Sequence, residues 1–331
     1  MWATSLVTPQ GINSYRYYFL INVLLIVIVF AGSAIILSRI KPEFWYLLPL
    51  SPALILSLYI NWDMWAFVPA LLALYWFKER RFDISAVVLS LAISTKFFPA
   101  VILVALLLAL LISKEIKTLL RYLAIVVGLW LLVNLPIALT YFDGWKHFYA
   151  MNINRPTDLG SIWLALSIFG IGEPRINYLT IMLFLIGATA IGIFYKSIAA
   201  TRTQFENIAT TIFLLIALFT TVSKVYSPQY VLWLTALAVI AIKSKQTLIT
   251  FWIWQAAELI YHIAIWQHLA LLSNAHFGLS AAFYGAITLL RLAAQIGMIY
   301  SLAYQVKRAK SAGNTQGKPW DFLFDTASSY P

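Results

Sequence analysis

Apolar runs separated by short basic connections recur along this chain from residue 17 to residue 306. A membrane-crossing α-helix needs about 20 predominantly apolar residues. Read for such runs, the chain divides into about eleven membrane segments: 17–38, 43–60, 64–77, 84–95, 100–112, 119–140, 178–195, 208–222, 231–242, 248–266 and 281–306. Several fall short of a full span. Short apolar runs beside Pro or Gly predict broken or re-entrant helices, because irregular backbone at membrane depth must be covered by protein or line a cavity. The expected fold class is all-α, a polytopic transmembrane helical bundle.

Composition closes the alternative. Apolar residues make up 62% of the chain and charged residues 11%, against roughly 45–50% and about 25% in soluble domains. A soluble fold has too little interior to hide that much apolar surface. The 13 Trp, 18 Tyr and 21 Phe suit the water–lipid boundary, where amphipathic rings collect.

Charge sets the expected orientation. Arg39/Lys41, Lys78/Arg80/Arg81, Lys114/Lys117/Arg121, Lys196/Arg202, Lys243/Lys245 and Lys307/Arg308/Lys310 stand on alternate connections, with Lys318 beyond them. The positive-inside rule makes these connections cytoplasmic. They also account for the net charge of +11 without a nucleic-acid partner. The opposite, outer side receives residues 61–63, 95–99, 141–177, 223–230 and 267–280. Residues 1–310 read as one membrane domain and 311–331 as a polar cytoplasmic tail. The first apolar run has no basic leader or small-residue cleavage site, so it is not a signal peptide. An outside amino terminus with an odd number of spans predicts a further helix and outer loop upstream of Met1.

Most soluble chemistries lack their residues. There is no Cys, hence no disulfide, thiolate metal site or Cys nucleophile. The four His are scattered, so no metal is expected. Gly313–Lys318 has the wrong spacing for a phosphate-binding P-loop, and no HExxH, GxSxG or dinucleotide fingerprint occurs. No cofactor is expected.

The informative residues are polar groups on the outer side or inside spans, where ionisable groups are costly. Lys96, in Ser94-Thr95-Lys96-Phe97-Phe98-Pro99, suits a phosphate at the mouth of a cavity, or else a lysine snorkelling from a helix end. Ser223-Lys224-Val225-Tyr226-Ser227-Pro228-Gln229-Tyr230 gathers a cation, hydroxyls and an amide around a helix-breaking proline, a group able to face an anion or a sugar. Asn61-Trp62-Asp63 offers Asp63 as a base, although its spacing favours a helix cap. Glu258 and Arg291 read as a buried ion pair. Gln255, Glu258 and His262 share one helical face, as do Thr288, Arg291 and Gln295. The loop 141–177 is too long and polar for a mere connector. Its Arg155 suits phosphate through a bidentate fork, and Asp143 and Asp158 are further candidate bases beside Lys146, His147, Asn152, Asn154 and Ser161.

In order along the chain, Met1-Trp-Ala-Thr-Ser-Leu-Val-Thr-Pro-Gln-Gly11, Asn61-Trp62-Asp63, Thr95-Lys96-Phe97-Phe98-Pro99, the 223–230 stretch and Trp254-Gln255-Ala256-Ala257-Glu258 resemble bacterial membrane glycosyltransferases of family 87, within the GT-C superfamily. The resemblance covers most of the chain. It implies a GT-C-like bundle in the plasma membrane, transferring a hexose, often mannose, from a polyprenyl-phosphate sugar at the outer face. It implies a glycolipid or polysaccharide acceptor and the lipid bilayer as further partners. Lys96, Lys224 and Arg155 would hold the donor phosphate, and an outer carboxylate, among them Asp63, Asp143 or Asp158, would activate the acceptor. Asn61, Tyr226, Ser227, Gln229 and Tyr230 would contact sugar or acceptor. Such enzymes carry their main catalytic aspartate in the first outer loop, which here would lie upstream of Met1. Competing expectations are a transporter or lipid flippase using Glu258 and Arg291, and a catalytically incomplete scaffold.

Overall fold

The computed structural model describes residues 5–9, 11–172, 176–199 and 205–311. Arg202, Lys318, most of the polar tail and the first four residues of the opening motif lie outside them. Among the described residues the fold is all-helical, without a strand. In chain order the helices are α1 (Ser14–Ile40), α2 (Leu47–Leu50), α3 (Pro52–Ser57), α4 (Met64–Lys78), α5 (Phe82–Thr95), α6 (Pro99–Ile112), α7 (Ile116–Thr140), α8 (Phe142–Asn154), α9 (Ile162–Ile168), α10 (Ile176–Ala199), α11 (Phe205–Val222), α12 (Val231–Ala241), α13 (Lys245–Leu272) and α14 (Ala281–Ser311).

Six of them, α1, α7, α10, α11, α13 and α14, are long and apolar enough to cross a membrane. The expected eleven segments thus separate into these six, the shorter apolar helices α4, α5, α6 and α12, and one broken run. That run, 43–60, contains Pro49 and Pro52. Ser51 is extended (φ −76°, ψ 105°) and Pro52 opens α3. A residue before proline is pushed out of the α region, so one expected helix becomes two short ones.

Burial grades across the bundle as a membrane solvent requires. Helix α11 is 78% buried along its most apolar window, and α7 and α10 are each 6% buried along theirs. Protein surrounds α11, which packs on α6, α10, α12 and α14. The bare apolar faces of α7 and α10 match lipid, where exposure carries no hydrophobic penalty. The chain is, in these terms, a helical membrane protein.

The 141–177 connection is not a loop throughout. Helix α8 occupies its first part with no buried residue. Phe142, Trp145, Phe148 and Tyr149 make ring contacts along it, the make-up of a helix lying in the membrane interface. Its 13 residues are too few and too polar to register as an apolar run.

The basic connections gather at one end. Lys78 donates to the carbonyls of Arg39 and Ile40, Arg121 pairs with Asp83 at 2.6 Å, and Glu206 faces both Lys41 and Lys243. Helix direction then puts the 61–63, 95–99 and 223–230 turns at the other end.

Candidate functional site

Two charged groups define that other end. The first begins with Asp63 at the start of α4. Its backbone is α-helical (φ −62°, ψ −30°) and its side chain makes no capping bond. This corrects the cap expected from spacing, because a capping side chain normally reaches back to the free amides from an extended backbone. Instead the carboxylate is fully buried. Oδ2 accepts from Trp233 Nε1 at 2.9 Å, and Oδ1 forms an ion pair with Lys96. Asn61 turns inward on its own loop, Oδ1 accepting from Trp62 N at 2.7 Å.

Lys96 reaches Asp63 because α5 stops there. Its backbone is extended (φ −152°, ψ 148°), and Pro99 starts α6 at the position that needs no amide hydrogen. The lysine side chain is 31% exposed, so the pair reaches the protein surface through its cation. Trp233 is held by stacking on both faces, with Phe98 at 4.0 Å and Tyr230 at 4.0 Å.

Lys224 lies in a second arrangement at the same end. Its Nζ donates to Ile153 O at 2.8 Å, and its carbonyl accepts from Asp158 N at 2.9 Å. Arg155 meets Asp158 at 2.5 Å. Partial burial first, then the Arg155 guanidinium, hold the Lys224 ammonium below the ordinary lysine range. Lys96 and Lys224 therefore hold different partners, and Tyr230 connects the two groups, stacked on Trp233 and within electrostatic reach of Arg155 and Asp158. Asp143 is exposed in the first turn of α8. Ser161 is buried and caps α9, accepting from Leu164 N.

Beneath the 223–230 turn sits a dense buried network. Arg291 Nε donates to Glu258 Oε2 at 2.8 Å. Glu258 Oε1 accepts from the Tyr226 hydroxyl at 3.0 Å and Trp254 Nε1 at 3.1 Å. The guanidinium is sandwiched between the rings of Tyr226 and Tyr261, 3.4 and 4.0 Å from their centroids. Arg291 also donates to the carbonyls of Tyr226 at 2.8 Å and Ser227 at 3.4 Å. The Ser227 carbonyl also accepts from Tyr230 N at 3.1 Å, so Arg291 ties down the non-helical backbone that leads into Pro228. Gln295 adds contacts to Tyr226, Thr220, Thr221 and the Ala217 carbonyl. Gln255 donates to Thr235 at 3.0 Å, and His262 contacts Ser57 and Trp266.

Tyr226 thus points inward to Glu258 rather than outward to a ligand. Gln229 is buried, and its Oε1 has no hydrogen-bond partner among the described residues. The loop before α9 closes over the network. Gly160 N donates to Tyr284 OH at 2.8 Å, and Gly160 has φ +80°, with Tyr226 O and Tyr261 OH where a Cβ would go.

Trp233, Gly160 and Tyr284 were not singled out from the sequence. Trp233 is one of 13 tryptophans, and nothing local distinguishes it; only the fold sets its indole against Asp63. Among the described residues no group of His, Cys, Asp and Glu could hold a metal ion. Comparison with known proteins returns no matching family model, curated sequence or solved structure. Chemically, the first arrangement offers a buried carboxylate, an accessible cation and a stacked aromatic wall.

Proposed function

We propose that the protein is a membrane hexosyltransferase of the GT-C type, moving a hexose such as mannose from a polyprenyl-phosphate donor to a glycolipid or polysaccharide acceptor at the outer face of the plasma membrane. The observation that carries this reading is the Asp63–Lys96 pair, buried on its carboxylate side and open on its cation side, against the indole N–H of Trp233. A carboxylate and a cation held in contact are a base and a phosphate ligand each kept in place by the other. A donor phosphate competes for Lys96 and releases Asp63 to receive a proton. The acceptor hydroxyl oxygen then attacks the anomeric carbon as its proton passes to Asp63. The bond from that carbon to the phosphate oxygen breaks, and polyprenyl phosphate leaves with the electron pair, its charge met by Lys96. Lys224 and Arg155 stand ready to hold the phosphate on the Tyr230 side.

A transporter reading needs Glu258 to exchange protons with water. Its three donors, the fully buried Arg291 among them, favour a fixed structural role instead.

Purified protein reconstituted with polyprenyl-phosphate mannose and a membrane glycolipid extract tests the reading. Release of polyprenyl phosphate in the wild type, falling at least about 100-fold in Asp63→Asn with helical content unchanged, is the expected result. Equal turnover by Asp63→Asn overturns the assignment of the base. Orientation is tested on the naturally Cys-free chain: a Lys146→Cys variant should label in intact cells, and Lys117→Cys only after permeabilisation.

A further inference from the structure

The basic end of the bundle holds a cleft of about 460 Å³ that the proposed reaction does not use, lined by Arg80, Arg81, Asp83, Lys117, Thr118 and Arg121 together with Phe82 and Ile84. Two tight turns build it. Arg80 and Lys114 both adopt left-handed backbone, φ 59° and 62°, and the same pair of carbonyl contacts closes each helix end. These turns launch α5 and α7 side by side, so the starts of both helices lie along the same cleft as the cations. Asp83 pairs with Arg121 at 2.6 Å, and Glu115 accepts from the Thr118 hydroxyl at 3.2 Å at the edge of the cleft, so the lining cations still outnumber the carboxylates. One turn deeper the helices are clamped, Ser85 to Tyr122 at 2.9 Å and Ser90 to the Val126 carbonyl at 3.0 Å, which keeps the cleft open and shaped. Below the cations the same helices carry exposed apolar side chains in rows, Ile84, Val87 and Leu91 on α5 and Ile116, Leu120 and Val127 on α7.

We propose that this cleft binds the phosphate headgroup of an anionic phospholipid, with its acyl chains along the apolar rows of α5 and α7. The excess of cations and the two helix starts recognise the phosphate. The apolar rows argue for an amphiphile rather than a free anion. The site is independent of the transferase reading.

The test is native mass spectrometry of the purified protein with phosphatidylglycerol, phosphatidylcholine or inorganic phosphate. The wild type should retain phosphatidylglycerol over phosphatidylcholine. Arg80→Gln with Lys117→Gln should weaken phosphatidylglycerol retention roughly 30-fold, on the scale of two juxtamembrane cations. If that pair of changes fails to fold, the exposed Lys117→Gln alone should cost roughly fivefold. Lys196→Gln with Lys307→Gln, an equal charge loss outside the cleft, should leave retention at the wild-type level. Equal loss in this last variant, equal retention of the two lipids, or full displacement by inorganic phosphate at matched concentration overturns the site.

Discussion

The two buried ion pairs, Asp63–Lys96 and Glu258–Arg291, differ in what surrounds them. Glu258 and Arg291 stand on long continuous helices and are both essentially inaccessible. The carboxylate has donors on both oxygens, and the guanidinium has the carboxylate, two carbonyls and two tyrosine rings. Asp63 and Lys96 stand where helices start and stop. The carboxylate is sealed, yet the ammonium is 31% exposed. A saturated pair has nothing left to give a ligand and serves to hold helices and a loop together. An unsaturated pair at a chain break can trade its internal partner for an incoming one. The network lies directly under the 223–230 turn, where Arg291 holds the carbonyls of Tyr226 and Ser227.

The contrast breaks hardest at Glu258–Arg291. Changing one member leaves the other charge buried and alone, at a cost of about 3–5 kcal/mol, whereas replacing both often costs far less. Arg291→Met or Glu258→Gln should therefore lose most folded protein in a detergent-stability assay, and the double variant should recover it. A double variant as unstable as the singles would show that the carbonyl contacts of Arg291 matter more than its charge.

Gly160→Ala probes the lid of the same network. An L side chain is strained at φ +80° and would meet the Tyr226 carbonyl and Tyr261 hydroxyl. A loss of roughly 2–4 kcal/mol is expected from clash and strain together, read as a lower melting temperature. Neutrality would mean that the 155–161 segment shifts away at little cost.

Trp233→Phe sharpens the Asp63 side. It keeps a ring between Phe98 and Tyr230 and removes the N–H at 2.9 Å from Asp63. A hydrogen bond to a charged group contributes about 1.5–3 kcal/mol. Stability should fall by about that amount, and donor turnover should fall more than donor binding. An unchanged melting temperature and turnover would leave the indole with packing alone.

The smallest effect is expected at Arg155–Asp158, exposed on both members. Such pairs contribute about 0–1 kcal/mol, so Arg155→Gln should scarcely alter melting. Any larger effect on donor affinity would then belong to phosphate binding.

Much of the helical layout was legible because lipid imposes a simple rule: a span must be apolar and must satisfy its own backbone. The runs 17–38, 119–140 and 248–266 lie inside α1, α7 and α13; α1 and α13 extend past them at both ends, and α7 at its start. The rule gives no warning of α8, whose rings and polar groups alternate at interface spacing, and it reads through Pro49 and Pro52.

The sequence by itself determined the solvent, the helical class, the grouping of basic connections on one side and the few polar residues that a membrane interior makes expensive. Which of those residues meet was decided by tertiary structure. Asp63 finds Lys96 on the next helix over and Trp233 far along the chain, and Tyr226 turns away from the surface to Glu258. Periodicity fixes which face of a helix a residue occupies. Only packing fixes what that face meets, because the partner's depth and direction depend on where other helices break.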